Sequence, residues 1–180
     1  IGAEASASWT SVALGLEARA TGSNDLDTGM IAIGVQCSSS FRNAIAIGGG
    51  SRSWERASIA LGYKSVSLNE HTIAIGSDAR ALGIDSIALG HNATASSHAA
   101  IAIGYNTTAS GGNSIAFGSG TVATDANTMV IGHTAQPMSV YISGNLNVCH
   151  GTSSFHYVSG CGNNNITVVS PISSSQLISA

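Results

Sequence analysis

Glycine returns in this chain at a fixed interval. From Gly34 it recurs at Gly48, Gly62, Gly76, Gly90, Gly104, Gly118 and Gly132, each 14 residues after the last. A small and then a larger apolar residue precede each one, as in Ile59-Ala60-Leu61-Gly62 and Ile73-Ala74-Ile75-Gly76. A period held without slip marks an array of stacked units, each able to bury its apolar face only against its neighbours. The step from Gly15 to Gly34 is 19 residues, so one unit carries an insertion, and Ile1-Gly2 reads as the tail of a further unit cut by the start of the chain.

Within one unit, Ile59 and Leu61 share one face of a short strand and Ala60 takes the other. Both faces are apolar, which predicts a strand covered on both sides. Gly62 ends it at a tight turn, where a positive φ costs glycine nothing. A second alternation follows at the third and fifth positions after each glycine. Those columns are small throughout (Cys37/Ser39, Ser51/Ser53, Ser65/Ser67, Ala79/Ala81, Ala93/Ala95), and the residues between them are mostly polar. The second strand therefore has one wet face. A turn follows it, often with a turn former such as Asn69, Gly83 or Ser97. One rung is thus two short strands and two turns, with rungs stacked in register.

Large residues of the first strand are expected to meet small residues of the second across a thin interior. On that reading the alanine column (Ala32, Ala46, Ala60, Ala74, Ala88, Ala102, Ala116) is left to pack against the same column of sister chains, since an identical stripe on every copy suits a closed symmetric assembly.

Composition narrows the partners. Charged residues are only 8% of the chain, the net charge is −3, and glycine interrupts each short apolar run. Neither membrane insertion nor a general affinity for nucleic acid follows from that. With no initiator methionine or leader pattern the chain reads as a fragment or processed product. Three cysteines (Cys37, Cys149, Cys161) leave at least one unpaired within the chain.

The pattern in Asp85-Ser86-Ile87-Ala88-Leu89-Gly90-His91-Asn92-Ala93-Thr94-Ala95, echoed in each rung, resembles the head repeats of YadA-type trimeric autotransporter adhesins, similar to repeats of phage and large-virus fibres. The resemblance covers residues 1–137. It implies an all-β, left-handed parallel β-roll of 14-residue rungs, a homotrimer, and a non-enzymatic role in attachment to a host receptor, glycan or matrix protein. After Gln136-Pro137 the chain departs from the bacterial family, whose neck motif is absent. Val140-Tyr141-Ile142-Ser143-Gly144-Asn145-Leu146-Asn147-Val148 looks like a segment found ahead of chaperone modules in viral fibres. Residues 138–180 are expected to form a β-rich trimeric stem or connector, with strands at Phe155–Val158 and Ile166–Val169, or else a partly ordered linker. Cysteines are a hazard for a passenger that crosses an oxidising compartment unfolded and harmless to a fibre folded in a reducing one. They favour a virion surface fibre, with a bacterial cell-surface adhesin as the alternative and a structural spacer without a receptor site of its own as a second.

Catalysis finds no support. A 14-residue rhythm does not fit the hexapeptide coils of acyltransferases, and no pair of facing carboxylates suits glycoside hydrolysis. No cofactor or metal is expected: Asp25-Leu26-Asp27-Thr28-Gly29 superficially resembles a calcium loop but lacks the distal ligands, and the histidines show no ligand spacing. The N-glycosylation triplets beginning at Asn92, Asn106 and Asn165 mean little without a secretory context.

The richest cluster lies around Trp54. By column counting, Trp54 shares a column with Leu68 and Leu82, and Arg42, Arg56 and Glu70 share the column two positions on. Arg52, Tyr63 and Lys64 lie on the same two rungs. Arg56 is therefore expected beside Glu70, and Lys64 beside Asp78. One reading is an apolar turn stripe with weak ladder ion pairs; the other is an aromatic-plus-arginine patch that grips a glycan or anionic receptor. Tyr105, with His91 one rung earlier, is a second exposed aromatic candidate.

Overall fold

The computed structural model describes residues 1–8, 10–22 and 28–133, with Val140 and Ser143. Apart from those last two they belong to the unit Ile1–Ser139. The calcium-like loop at Asp25–Asp27, Cys149, Cys161, His150, His156 and the expected strands of the 138–180 segment lie outside the described residues.

Each rung folds as its alternation dictates. Three-residue strands such as Ile59–Leu61, Ile73–Ile75 and Ile87–Leu89 stack into one parallel sheet of nine strands. Two-residue strands such as Arg52–Ser53, Val66–Ser67 and Arg80–Ala81 stack into a second sheet of nine. Ile73 pairs with Ile59 on one side and Ile87 on the other, so the register equals the sequence period. The insertion before Gly34 does not disturb the ladder, since Ala13 still pairs with Ala32. The first residues form a further rung: Ser6–Ala7 pairs with Arg19–Ala20, and the Gly15 N–H donates to the Ile1 carbonyl at 2.8 Å. No helix among the described residues is long and apolar enough to cross a membrane.

The structure reverses the expected facing of the first strand. Ala32, Ala46, Ala60, Ala74, Ala88, Ala102 and Ala116 are fully buried within the single chain. They point into the roll: Ala74, Ala88, Ala102 and Ala116 pack with Ala79, Ala81, Ala93 and Ala95 in one alanine cluster, Ala32 packs with Ala18, Ala20, Met30 and Cys37 in a second, and the rungs of Ala46 and Ala60 between them bury serines such as Ser51, Ser53, Ser65 and Ser67. These alanines are not a surface for sister chains. The isoleucines and leucines on either side of them point outward instead, and Leu61 and Leu89 are each 40% exposed. The reason is room. Sheets with ordinary side chains between them stand about 10 Å apart, whereas tight turns at both ends of two- and three-residue strands hold these sheets closer. Small must therefore meet small. The column four residues before each glycine shares the inward face with alanine, and there Ser58, Thr72, Ser86, Ala100 and Ser114 are fully buried.

Burying so many hydroxyls requires partners. Ser51 and Ser65 donate to the carbonyls of Gly48 and Gly62 in their own turns, at 2.9 and 3.0 Å. Thr72 donates to the Asn69 carbonyl at 2.6 Å. Cys37 stands in the Ser51 column and its thiol donates to the Gly34 carbonyl at 3.2 Å. Burial pushes the Cys37 thiol above its ordinary pKa, with its backbone hydrogen bond acting in the opposite direction, so it stays a protonated, inert filler. The Ser86 and Ser114 hydroxyls have no protein partner.

Three positions per rung take positive φ, as Gly62, Lys64 and His71 do in one rung. Gly76 has a φ of 129°, and a Cβ there would fall 2.6 Å from the Gly90 carbonyl carbon. Glycine is required both for the dihedral and for the spacing of rungs. Two residues beyond most of the anchors comes a left-handed non-glycine residue, such as Lys64, Asp78 or Asn92, and the second turn holds another, such as His71 or Asp85. Rung-to-rung hydrogen bonds hold these conformations: Lys64 N–H donates to the Gly49 carbonyl at 2.9 Å, and His71 N–H to that of Arg56 at 3.1 Å.

Gly76→Ala should destabilise the roll by about 2 kcal/mol or more, and Ala88→Leu by about 1–3 kcal/mol through overpacking. Asn92→Lys should be nearly silent, because Lys64 already holds that conformation at φ 54°. Chemical denaturation of the three variants checks the order. Equal stability of the Ala88→Leu and Asn92→Lys proteins would contradict an inward alanine column.

Candidate binding face

Outward positions on the two sheets differ in character. The first sheet presents apolar columns: Val12, Leu14, Leu61, Leu89, Phe117, Met129 and Ile131 are all exposed by more than a third. The second presents a mixed column four residues past each glycine, running Arg52, Val66, Arg80, Thr94, Thr108. Alternation along each two-residue strand forces this, since Ser53, Ser67 and Ala81 take the inward places.

Over this second sheet lies a groove of about 840 Å³. Arg52, Val66 and Arg80 form its floor, Gln36, Lys64, Asp78 and Asn92 one wall, and Trp54 and Leu68 the other. The walls are turn positions held rung by rung: Trp54 N–H donates to the Ser67 carbonyl at 3.0 Å and Asp78 N–H to the Tyr63 carbonyl at 2.9 Å. Trp54 is 46% exposed, and the Arg52 guanidinium carbon stands 5.9 Å from its ring centroid. The Ser77 hydroxyl donates to the Asp78 carboxylate at 3.0 Å.

The candidates around Trp54 divide among three places. Arg52, Trp54 and Lys64 line the groove together. Tyr63 stands on the adjoining turn with the Lys64 ammonium 5.0 Å from its ring centroid. Arg42 and Arg56 occupy the opposite turn, outside the groove. Arg56 pairs with Glu70 at 3.1 Å, as column counting expects, with both side chains more than 40% exposed. Lys64 forms no ion pair with Asp78 among the described residues, although both line one wall. Tyr105, three rungs beyond Tyr63, stacks on His91 at 5.5 Å with 10° between the rings.

Two further features were not read from the sequence. Arg80 belongs to the groove floor, and its signal was present: it occupies the same column as Arg52, two rungs on. At the second turn, Asp85 accepts from or pairs with His71 at 3.1 Å and lies 3.7 Å from His98. This trio is exposed, and no group of three metal-binding side chains suited to hold an ion gathers among the described residues.

The YadA head domain repeat family matches residues 31–51, 56–79, 81–107 and 109–135, together more than half of the chain. Among solved structures, the chain is similar to the collagen-binding domain of the Yersinia adhesin YadA. The two are 23% identical, the match covers 72% of this chain and 70% of that one, and the TM-score is 0.38. No curated protein matches the chain.

Trp54→Ala and Arg56→Ala should each leave stability within about 0.5 kcal/mol of the parent, because neither side chain is buried and the ion pair is solvated. Thermal melting checks this, and a large loss for Trp54→Ala would make the indole a structural prop.

Proposed function

The chain belongs to the YadA head family, and on that premise we propose that it is a segment of a homotrimeric attachment fibre. One observation carries the proposal: the first sheet leaves an unbroken ladder of large apolar side chains facing outward, from Val12 and Leu14 to Met129 and Ile131. Nine strands at the usual spacing make that ladder about 40 Å long. A contiguous apolar surface of this kind on a protein with few charges marks an interface. Every rung offers the same stripe, so copies of the chain standing side by side in register meet it with an equal one. A closed ring of three buries one stripe per chain against the other two. The alanine column needs no such cover.

The opposite sheet then faces outward on every chain. Its groove and the aromatic turns at Tyr63 and Tyr105 are the surfaces available to a host receptor, glycan or matrix protein. Three chains repeat each weak contact, and many fibres repeat it again, so modest single-site affinities suffice for adhesion. The buried, unpaired Cys37 thiol favours folding in a reducing compartment, which suits a virion fibre. The bacterial cell-surface adhesin shares the same roll and the same interface, and the family membership favours it equally.

Leu89→Asp places a carboxylate in the stripe without touching the alanine core. Light scattering should then change from a particle of three chains to one of 17.9 kDa. A parent protein that is already monomeric, or a variant whose mass is unchanged, would overturn the proposal.

A further inference from the structure

The groove over the second sheet has a charge character that the whole chain lacks. The protein is net negative at −3, yet Arg52, Lys64 and Arg80 converge there against one acid, Asp78. Arg52 and Arg80 each pair in register with Val66 between them, so their backbones stand two strand spacings apart, roughly 9–10 Å. Lys64 projects from the intervening region on the neighbouring column. The cations therefore form a zigzag along the axis of the roll rather than a cluster around a point. Trp54 closes one side with an exposed indole.

We propose that this groove binds a linear sulfated polysaccharide laid along the roll axis. The sulfates would meet Arg52, Lys64 and Arg80, and one sugar ring would lie on Trp54. A guanidinium fork matches a tetrahedral oxyanion with two parallel hydrogen bonds. The regular rise of the ladder suits a polymer with repeating charge better than a single compact anion. The electron-rich indole face attracts the polarised C–H groups of a sugar ring. Nucleic acid fits less well: three cations fall short of the 6–10 phosphate contacts typical of a duplex binder, and one exposed indole offers no platform for successive bases. Assembly through the apolar stripe leaves the groove open, because the two lie on opposite sheets. Asp78 is the discordant group on the wall and sets an upper limit on affinity.

This inference rests on the attachment reading, and its test separates the two. Heparin oligosaccharide is titrated into the full chain by calorimetry at several salt concentrations. Binding should weaken with salt. In the Arg52→Gln/Arg80→Gln protein the affinity should fall about tenfold or more at low salt, and the slope of log K against log salt should drop by about two, one for each lost guanidinium. Trp54→Ala should weaken binding without changing the slope, and Asp78→Asn should tighten it. Arg19→Gln, in the same column but outside the groove, should bind as the parent does. Absence of heparin binding, a double variant that binds like the parent, or single-stranded DNA bound as tightly as heparin would each overturn the inference. A trimer that attaches to cells yet ignores heparin would refute this inference alone. A monomer that binds heparin would refute the trimer and leave the groove assignment standing.

Discussion

The distance between the two sheets governs this molecule. Tight turns at both ends of very short strands bring the sheets too close for anything larger than alanine, serine, threonine or the occasional cysteine to fit between them. Met30 is the exception, the largest fully buried side chain among the described residues; it follows the insertion in sequence, and the strand after it keeps its register with both neighbours. Every large apolar residue of the first strand is therefore pushed to the outside. A core of alanine methyls gives up little apolar area per rung, so cohesion falls on the unbroken backbone ladders that run through strands and turns alike. Hydrogen bonds such as Ile59 N–H to the Thr72 carbonyl at 2.8 Å and Gly76 N–H to the Leu61 carbonyl at 2.8 Å recur along the roll. Stability in such an array is local and additive from rung to rung.

The same constraint divides labour between the faces. One sheet turns isoleucine and leucine outward and is suited to burial by copies of itself. The other turns arginine, valine and threonine outward over a groove flanked by Trp54 and Lys64. Inward positions vary only among small residues such as Ala, Ser, Thr and Cys, apart from Met30, whereas outward and turn positions take side chains of every size and charge without disturbing the interior. The anchor glycines and inward small columns are the fixed frame; Arg52, Trp54, Lys64 and Arg80 are the variable display.

Much of this was legible in the residues. The glycine period gave the rungs, their two strands and their parallel register, because a repeat leaves only one neighbour for each unit. Column counting placed Arg56 beside Glu70 for the same reason. Which face of the first strand points inward is not legible from alternation alone. Alternation separates Ala60 from Ile59 and Leu61 but does not say which side is inside, and the usual expectation buries the larger residue. The deciding signal was Ser58, Thr72, Ser86 and Ser114, small residues in phase with alanine that only a narrow interior would select. The groove is half visible in the sequence: Arg52, Trp54 and Lys64 lie on adjacent rungs, whereas Arg80 is 28 positions from Arg52 and joins it only through the stacking of rungs. Left-handed turn positions are marked where Asn or Asp fills them, as at Asp78, Asp85, Asn92 and Asn106; Lys64 and His71 carry no such mark, since their conformation is held by hydrogen bonds to the adjoining rung.

The claim that the alanines are inside and the large aliphatic ladder meets its own copies is tested most directly by cross-linking. With Cys37, Cys149 and Cys161 replaced by serine, single cysteines are placed at Leu89, on the apolar ladder, and at Thr94, on the opposite sheet. A short bifunctional thiol reagent should join separate chains through position 89 and leave those with cysteine at position 94 uncoupled. Coupling at position 94 with none at position 89 would contradict the account.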